Sequence, residues 1–130
     1  MSAYTVLDVL ADPQMLVGAH VRRKIAETIF EIVEGDGVVS AATLRPALIE
    51  AGVSRDLMDK RMPAMLGTAA RQGALEWTGQ YTVSGNSASR NDQRAVKVYR
   101  AASMLRLLDW VASYQDAYRR DRQRLAEVTA

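Results

Sequence analysis

The chain has 130 residues, a net charge of +2 and 48% apolar residues, which together indicate one globular domain of ordinary size. It contains no cysteine and a single histidine, His20, which excludes disulfides, thiolate zinc sites and cysteine nucleophiles. No apolar run approaches the ~20 residues that a membrane span needs, and the first residues lack the pattern of a signal peptide. We therefore expect a cytoplasmic protein that makes no membrane contact.

Two helices are predicted in the N-terminal third of the chain. Thr5 to Leu10 favours a short helix, and Asp12-Pro13 is typical of a capped start of a second one. The second helix runs from Pro13 to Glu34, with a break expected at Gly18 because glycine weakens a helix interior. Its secure part begins at Val21 and carries apolar residues at helical spacing: Ile25, Ile29, Ile32 and Val33.

Val38-Val39 predicts a minor β-strand, and a further helix follows it. Either Ser40 or Thr43 is suited to cap this helix, and Pro46 favours Thr43 because proline then falls in the first turn. A distorted first turn is the expectation if the helix begins at Ser40. The predicted buried stripe of this helix consists of Leu44, Ala47, Leu48 and Ala51.

A tight turn, Ala51-Gly52-Val53-Ser54, separates this helix from the next. Gly52 suits the left-handed residue that ends a helix, and the Ser54 hydroxyl suits the cap that starts another. Pro63 is expected to kink or split the helix that begins at Arg55, because proline clashes with the carbonyl four residues earlier. The predicted inner face of that helix is Leu57, Met58, Met62, Met65, Leu66 and Ala69.

Two strands joined by a polar loop come next. Gly73 to Trp77 turns the chain into a strand that Gln80 to Val83 extends, and Ala95 to Arg100 returns as its partner. The loop at 85–93 is rich in turn residues and is read either as a mobile wing tip or as an insertion without contacts. Over residues 78–101 four basic side chains stand against one aspartate: Arg90, Arg94, Lys97 and Arg100 against Asp92.

The chain ends in a helix that Ser103 is expected to cap. Apolar and aromatic side chains recur along it at coiled-coil spacing, and four arginines follow them at 119, 120, 122 and 124. We predict that this helix forms a homodimer through Leu107, Val111, Tyr114 and Tyr118. The alternative is that the same helix folds back on Ile25 and Ile29 within one chain and leaves a monomer.

The order helix, strand, helix, turn, helix and two strands resembles the winged helix-turn-helix family of DNA-binding domains from about Val21 to Ala101. The expected fold is mostly α with a small β-hairpin, flanked by N- and C-terminal helices. The corresponding division is an extension at 1–20, the winged domain at 21–101 and a possible dimerisation helix at 102–130.

The resemblance implies a protein that binds double-stranded DNA, needs no cofactor and regulates transcription, of the small bacterial or phage type. The second helix of the motif would enter the major groove and the wing would contact the DNA backbone or the minor groove. The residues expected to contact DNA are Ser54, Arg55, Asp59, Lys60, Arg61, Arg90, Arg94 and Lys97.

Other interpretations remain open. The charged side chains of the second helix can form a solvated face with a pair such as Asp56–Lys60, and the same fold can serve as a protein-interaction module. The aromatic residues Trp77, Tyr81, Tyr99 and Trp110 are expected in the core or on the sheet rather than as stacking surfaces. His20 is expected to be structural or exposed, and no catalytic motif or cluster of metal ligands is present in the sequence.

Overall fold

The computed structural model describes residues 13–83 and 95–129 of the chain, with side chains described for 17–83 and 95–127. The predicted helix at Thr5–Leu10 and the loop with Arg90 and Arg94 lie outside these residues. The described part contains four helices and three strands: α1 (Pro13–Asp36), β1 (Val38–Val39), α2 (Ala41–Glu50), α3 (Arg55–Arg71), β2 (Leu75–Val83), β3 (Ala95–Ala101) and α4 (Met104–Thr129).

Helix α1 is continuous, so the break expected at Gly18 is wrong and the boundary placed at residue 20 falls inside a helix. The flanking residues Ala19 and Val21 are buried in the core. Tertiary packing of this kind outweighs the ~1 kcal/mol by which glycine weakens a helix. The helix ends where Gly37, with a φ of +83°, donates its N–H to the Val33 carbonyl.

Helix α2 begins at the cap Ser40, not at Thr43. The Thr43 N–H donates to the Ser40 hydroxyl at 3.4 Å, and the Ser40 N–H donates to the Thr43 hydroxyl at 3.0 Å, which closes a capping box. Pro46 therefore lies inside the helix on its exposed side, and the fully buried Leu44 and Leu48 hold the helix on the core. Ala51 is exposed, so the predicted buried stripe ends before it.

The turn after α2 has the conformation that its glycine predicts. Gly52 has a φ of +86° and donates to the Ile49 carbonyl, while Val53 donates to the Leu48 carbonyl and packs half-buried against the core. Ser54 stands at the start of α3 in extended conformation, but its side chain makes no capping hydrogen bond. The predicted position of this cap is confirmed, and the predicted role of its hydroxyl is wrong.

Helix α3 runs uninterrupted past Pro63, so the predicted split is wrong. Pro63 lies on the exposed side, where the Asp59 carbonyl that loses its partner can be hydrated. The opposite side is anchored by the predicted inner face, of which all but the half-buried Leu57 are buried: Met58, Met62, Met65, Leu66 and Ala69.

The three strands form an antiparallel sheet in the order β1-β3-β2. Val39 of β1 pairs with Tyr99 of β3, and Tyr99 pairs in turn with Trp77 of β2. The short β1 thus closes one edge of the hairpin, as its two valines predict. Leu75, at the start of β2, is buried and joins the sheet to the helical core.

Helix α4 packs along α1 within the same chain. Ser103 caps it, as predicted, by accepting the Arg106 N–H at 3.4 Å. Leu107 and Val111 are buried, and Trp110 is buried with its ring 4.9 Å from that of the half-buried Tyr114. Trp110 therefore packs the helix onto the domain, as expected.

The side chains predicted as a dimer seam make contacts within one chain. Leu107 and Val111 complete the core, and Tyr118 lies against His20 and Arg23 of α1 at 5.5 Å between rings and 4.3 Å from the guanidinium carbon. Gln115 adds a hydrogen bond to Glu27 at 2.9 Å. Helix α4 thus folds back onto α1 within one chain, as the alternative expects, and the homodimer stays a prediction.

Candidate nucleic-acid interface

The outward face of α3 carries basic side chains near its N-terminus. Ser54, Arg55, Asp56 and Lys60 are all exposed. Arg55 and Lys60 form no ion pair with any of the described residues. Their positions follow from the buried methionines, which take the inner face of the helix and turn both basic residues toward solvent. Both charges are therefore free to meet an anionic partner.

Asp59, predicted to contact a base, is paired with Arg45 of α2. The Arg45 Nε donates to Asp59 Oδ1 at 3.1 Å, and half of the Asp59 side chain remains accessible. The suggested pair Asp56–Lys60 is not among the ion pairs of the described residues. The Arg45–Asp59 pair neutralises one acid of the α3 face and ties that helix to α2.

Arg61, expected to contact DNA, lies half-buried at the flank of α3. It donates to the Leu57 carbonyl at 2.9 Å, and its guanidinium group reaches toward Gly18 of α1. Arg22 of α1 reaches the same glycine: a Cβ built on Gly18 would lie 3.1 Å from Arg22 Nη1 and 3.5 Å from Arg61 Nη2. Gly18 thus leaves room for two guanidinium groups to converge.

Neither guanidinium group of this pair has a carboxylate partner in the described part of the chain. Two like charges at close range repel, and an anion between them relieves the repulsion through charge-assisted hydrogen bonds. The positive charge of Arg22 also acts on the Tyr114 phenol. Burial raises the pKa of Tyr114, and the Arg22 charge lowers it by a smaller amount. Sequence spacing does not reveal this pair, because Arg22 and Arg61 lie on different helices.

On the hairpin, Lys97 is exposed and its Nζ lies 5.0 Å from the ring centroid of Trp77. Arg100, another of the four basic side chains of residues 78–101, pairs with Glu76 across the strands at 2.7 Å. The remaining wing residues predicted to contact DNA, Arg90 and Arg94, lie outside the described residues. Lys97 is therefore the predicted wing contact that the structure describes.

Two of the aromatic residues expected in the core or on the sheet are largely exposed on the sheet. Trp77 is 42% and Tyr81 is 56% exposed, whereas Tyr99 is half-buried and packs against the core. The β-strand pattern places all three on one face of the sheet, but only the part nearest the helices is covered. The exposure of Trp77 and Tyr81 could not be predicted from the sequence, because it depends on how far the helices cover the sheet.

His20 has the structural role expected for it. Its Nδ1 accepts a hydrogen bond from Arg23 Nη2 at 3.0 Å, which requires a neutral ring with the proton on Nε2. Burial, followed by the charges of Arg23 and Lys24, lowers the pKa of His20 below its ordinary value. Among the described residues no group of three or more acidic or histidine side chains is placed to hold a metal ion.

A groove of about 450 Å³ lies between α1 and α2. It is lined by Thr28, Glu31, Ile32, Asp36, Ala47, Glu50 and Ala51. Its three acids make it unsuited to phosphate, so the basic face of α3 and the hairpin remain the better candidates for nucleic acid.

No protein-family model matches this chain, and no curated protein or solved structure matches it at a significant level. None of the helices in the described ranges is long and apolar enough to cross a lipid bilayer. Functional assignment therefore depends on the side chains described above.

Proposed function

We propose that this chain is a winged helix-turn-helix protein that binds double-stranded DNA and regulates transcription, with α3 as the recognition helix. The observation that carries the proposal is the pair of exposed basic side chains, Arg55 and Lys60, directly after the Gly52 turn and without acidic partners among the described residues. The order of the elements and the sheet order β1-β3-β2 support it.

In this proposal the N-terminal half of α3 lies in the major groove. Arg55 and Lys60 donate hydrogen bonds to base edges such as guanine O6 and N7. Arg61 and Arg22 hold one backbone phosphate between them and so set the depth and register of α3. Asp59 stays with Arg45, which reduces the repulsion that a free carboxylate would exert on phosphate.

The hairpin supplies the second contact. Lys97 meets the DNA backbone beside the groove that α3 occupies, and Arg90 and Arg94 of the wing add phosphate or minor-groove contacts. These contacts carry affinity more than base identity. Removing the charges of Arg90 and Arg94 together should weaken binding to all duplexes alike and reduce the salt slope by roughly one to two units.

The test compares two charge removals on the same helix. Lys60→Gln should weaken binding to a selected duplex and reduce discrimination between base sequences, by about 1–3 kcal/mol if Lys60 reads a base. Arg71→Gln is the matched control, because Arg71 is exposed on the same helix about 16 Å farther along its axis. Equal losses from both variants would indicate diffuse electrostatic attraction and contradict the assignment of α3 as the recognition helix.

A second candidate function is a protein-interaction module, favoured by the apolar side chains that remain exposed at the start of α4. Leu105 is 69%, Leu108 is 49% and Met104 is 43% exposed. They are neighbours on the helix surface at spacings of three and four. A second copy of the chain seated on this patch would be an interface different from the homodimer predicted through Leu107, Val111, Tyr114 and Tyr118, which stays a prediction.

Sedimentation of the wild type and of Leu105→Asp with Leu108→Asp tests this candidate. A dimer that the double variant converts to folded monomers supports an interface at this patch. A wild type that sediments at 14.3 kDa at high concentration rules out self-association there. A chain with no affinity for duplex DNA at low salt would leave the protein-interaction module as the better function.

A further inference from the structure

The stem of the β2–β3 hairpin carries an exposed aromatic pair next to a cation. Trp77 and Tyr81 contact each other edge to face, with ring centroids 5.3 Å apart, and Lys97 Nζ lies 5.0 Å from the Trp77 centroid. We call Trp77, Tyr81 and Lys97 the hairpin platform. Two adjacent aromatic rings that remain in water do not gain the favourable free energy that similar rings gain on burial in a core. Their exposure therefore calls for a reason other than packing.

The platform lies on the face of the sheet that is turned toward the core. Cross-strand partners point to the same side of a sheet, and the register pairs Leu75 with Ala101, Trp77 with Tyr99, and Tyr81 with Lys97. Leu75 is buried, whereas Trp77 and Tyr81 are exposed. The hairpin thus extends beyond the helices that cover its base, and this extension presents the platform to solvent.

A β-bulge fixes the Trp77 side chain in place. Between Trp77 and Tyr81 the register shifts, with Gly79 at a φ of +88°. The Thr78 hydroxyl donates to the Val98 carbonyl at 2.9 Å, and the Gln80 N–H donates to the Thr78 hydroxyl at 3.2 Å. The Trp77 indole N–H then donates to the Gln80 carbonyl at 2.9 Å, so the ring is oriented before any ligand arrives.

The charge around the platform is positive. Lys97 forms no ion pair with a carboxylate in the described ranges 17–83 and 95–127, and Glu76, the nearest acid along β2, is held by Arg100 on the opposite face. An aromatic ring beside an ammonium group matches a nucleotide, whose base stacks on the ring while its phosphate meets the cation. A base stacks on a ring through one accessible face, and bases inside a duplex have both faces covered by their neighbours.

We propose that the hairpin platform binds unpaired bases of single-stranded nucleic acid, with Trp77 and Tyr81 as stacking surfaces and Lys97 as the phosphate contact. This site is separate from the α3 face and does not require α3 to bind duplex DNA. The sequence preference is weak, because every base has a π-face and the Trp77 indole N–H is already donated to the Gln80 carbonyl.

Tryptophan fluorescence gives a direct test, because the chain has two tryptophans and Trp110 is buried. In the Trp110→Phe variant, Trp77 is the only tryptophan, and excitation at the red edge, where tyrosine does not absorb, isolates its emission. A single-stranded oligothymidylate of roughly 12 nucleotides, within the ~4–16 nucleotides that such sites cover, should quench its emission on binding. Affinities are measured in parallel by anisotropy of the labelled oligonucleotide, so that variants without Trp77 can be compared.

Trp77→Ala and Tyr81→Ala should each weaken oligonucleotide binding by roughly 5- to 150-fold, the range found for loss of one stacked base. Lys97→Gln should reduce the salt slope by about 0.7, the value for one phosphate of a single strand. Val83→Ala is the matched control, because Val83 is exposed on the same strand and face but has no ring. It should bind like the wild type.

Unchanged Trp77 emission on adding the oligonucleotide, or wild-type affinity in Trp77→Ala, would overturn the proposal. Quenching by a proline-rich peptide but not by the oligonucleotide would overturn it as well. If circular dichroism shows that Trp77→Ala fails to fold, Trp77→Phe replaces it: this variant keeps a ring and should retain most of the affinity, while Tyr81→Ala should still lose it. Loss of duplex binding in Lys60→Gln with oligonucleotide quenching retained would separate this site from the α3 face.

Discussion

Replacing Leu107 by alanine is expected to destabilise the chain strongly, whereas the same change at its neighbour Leu108 is not. Leu107 is fully buried between α4 and the core, and Leu108 is 49% exposed on the same helix. Both changes are Leu→Ala in one helix, so the change in helix propensity cancels between them. The difference in the free energy of unfolding between the two variants therefore measures how much the packing of Leu107 in the core stabilises the chain.

The expected magnitude follows from the burial of each side chain. A fully buried Leu→Ala change lowers the free energy of unfolding by about 2–5 kcal/mol, through lost transfer free energy and the cavity that remains. The same change at an exposed leucine lowers the free energy of unfolding by less than about 1 kcal/mol. For a chain of this length the buried change should lower the melting temperature by at least about 6 °C.

Urea denaturation followed by far-UV circular dichroism measures both variants, with sedimentation as a check on assembly. The midpoint should fall in Leu107→Ala at unchanged m-value, which marks a loss of stability rather than a change in the surface exposed on unfolding. If Leu107→Ala instead matches Leu108→Ala in stability and changes the sedimentation coefficient, Leu107 contacts a second chain and the intrachain packing of α4 is wrong.

Three further outcomes are expected. Gly52→Ala should destabilise the chain by about 1–2 kcal/mol, because the φ of Gly52 is positive. Gly35→Ala should stabilise it by up to about 1 kcal/mol, because Gly35 lies in a helix and no atom lies within 4 Å of the added Cβ. Thermal melts of the two variants measure both changes. Ser40→Ala removes the Ser40 hydroxyl from the capping box and should lower the free energy of unfolding by about 1 kcal/mol, as measured by urea denaturation. An unchanged free energy of unfolding would show that the capping box does not stabilise the chain. Burial lowers the pKa of His20, so between the folded pKa and 6.5 the unfolded chain binds more protons than the folded chain. The free energy of unfolding should therefore rise as the pH increases over this range, and His20→Gln should flatten that rise.

Much of the fold could be predicted from local patterns. The spacing of Ile25, Ile29 and Val33 predicts the buried face of α1, and Gly52 predicts the left-handed turn before α3. The pairing of the hairpin strands and of Val38–Val39 was also predictable, because alternation and β-branching are read from adjacent residues.

The two wrong helix breaks share one physical cause, which is that tertiary packing overrides local propensity. Gly18 and Pro63 weaken a helix locally, but α1 and α3 continue because their neighbours are buried. The apolar spacing around Leu107 is the same whether its partner is α1 or a second chain, so the sequence could not choose between them.

The candidate site was predictable only in part. The exposure of Arg55 and Lys60 follows from the helix pattern, whereas the pairing of Asp59 with Arg45 and the convergence of Arg22 on Arg61 depend on how the helices pack. Contacts between residues far apart in the chain leave no periodic signal. The same holds for the exposure of Trp77, which depends on where the helices stop covering the sheet.

The salt dependence of duplex binding by the intact chain tests the central proposal most directly. With a duplex of random sequence, the logarithm of the observed association constant should fall linearly with the logarithm of the salt concentration, with a slope of about −0.9 for each phosphate neutralised. The phosphate contacts proposed for the arginine pair at Gly18, for Lys97 and for Arg90 and Arg94 together predict a slope steeper than about −2. Absence of binding at low salt, or binding that does not depend on salt, would contradict the assignment of this protein as a DNA-binding protein.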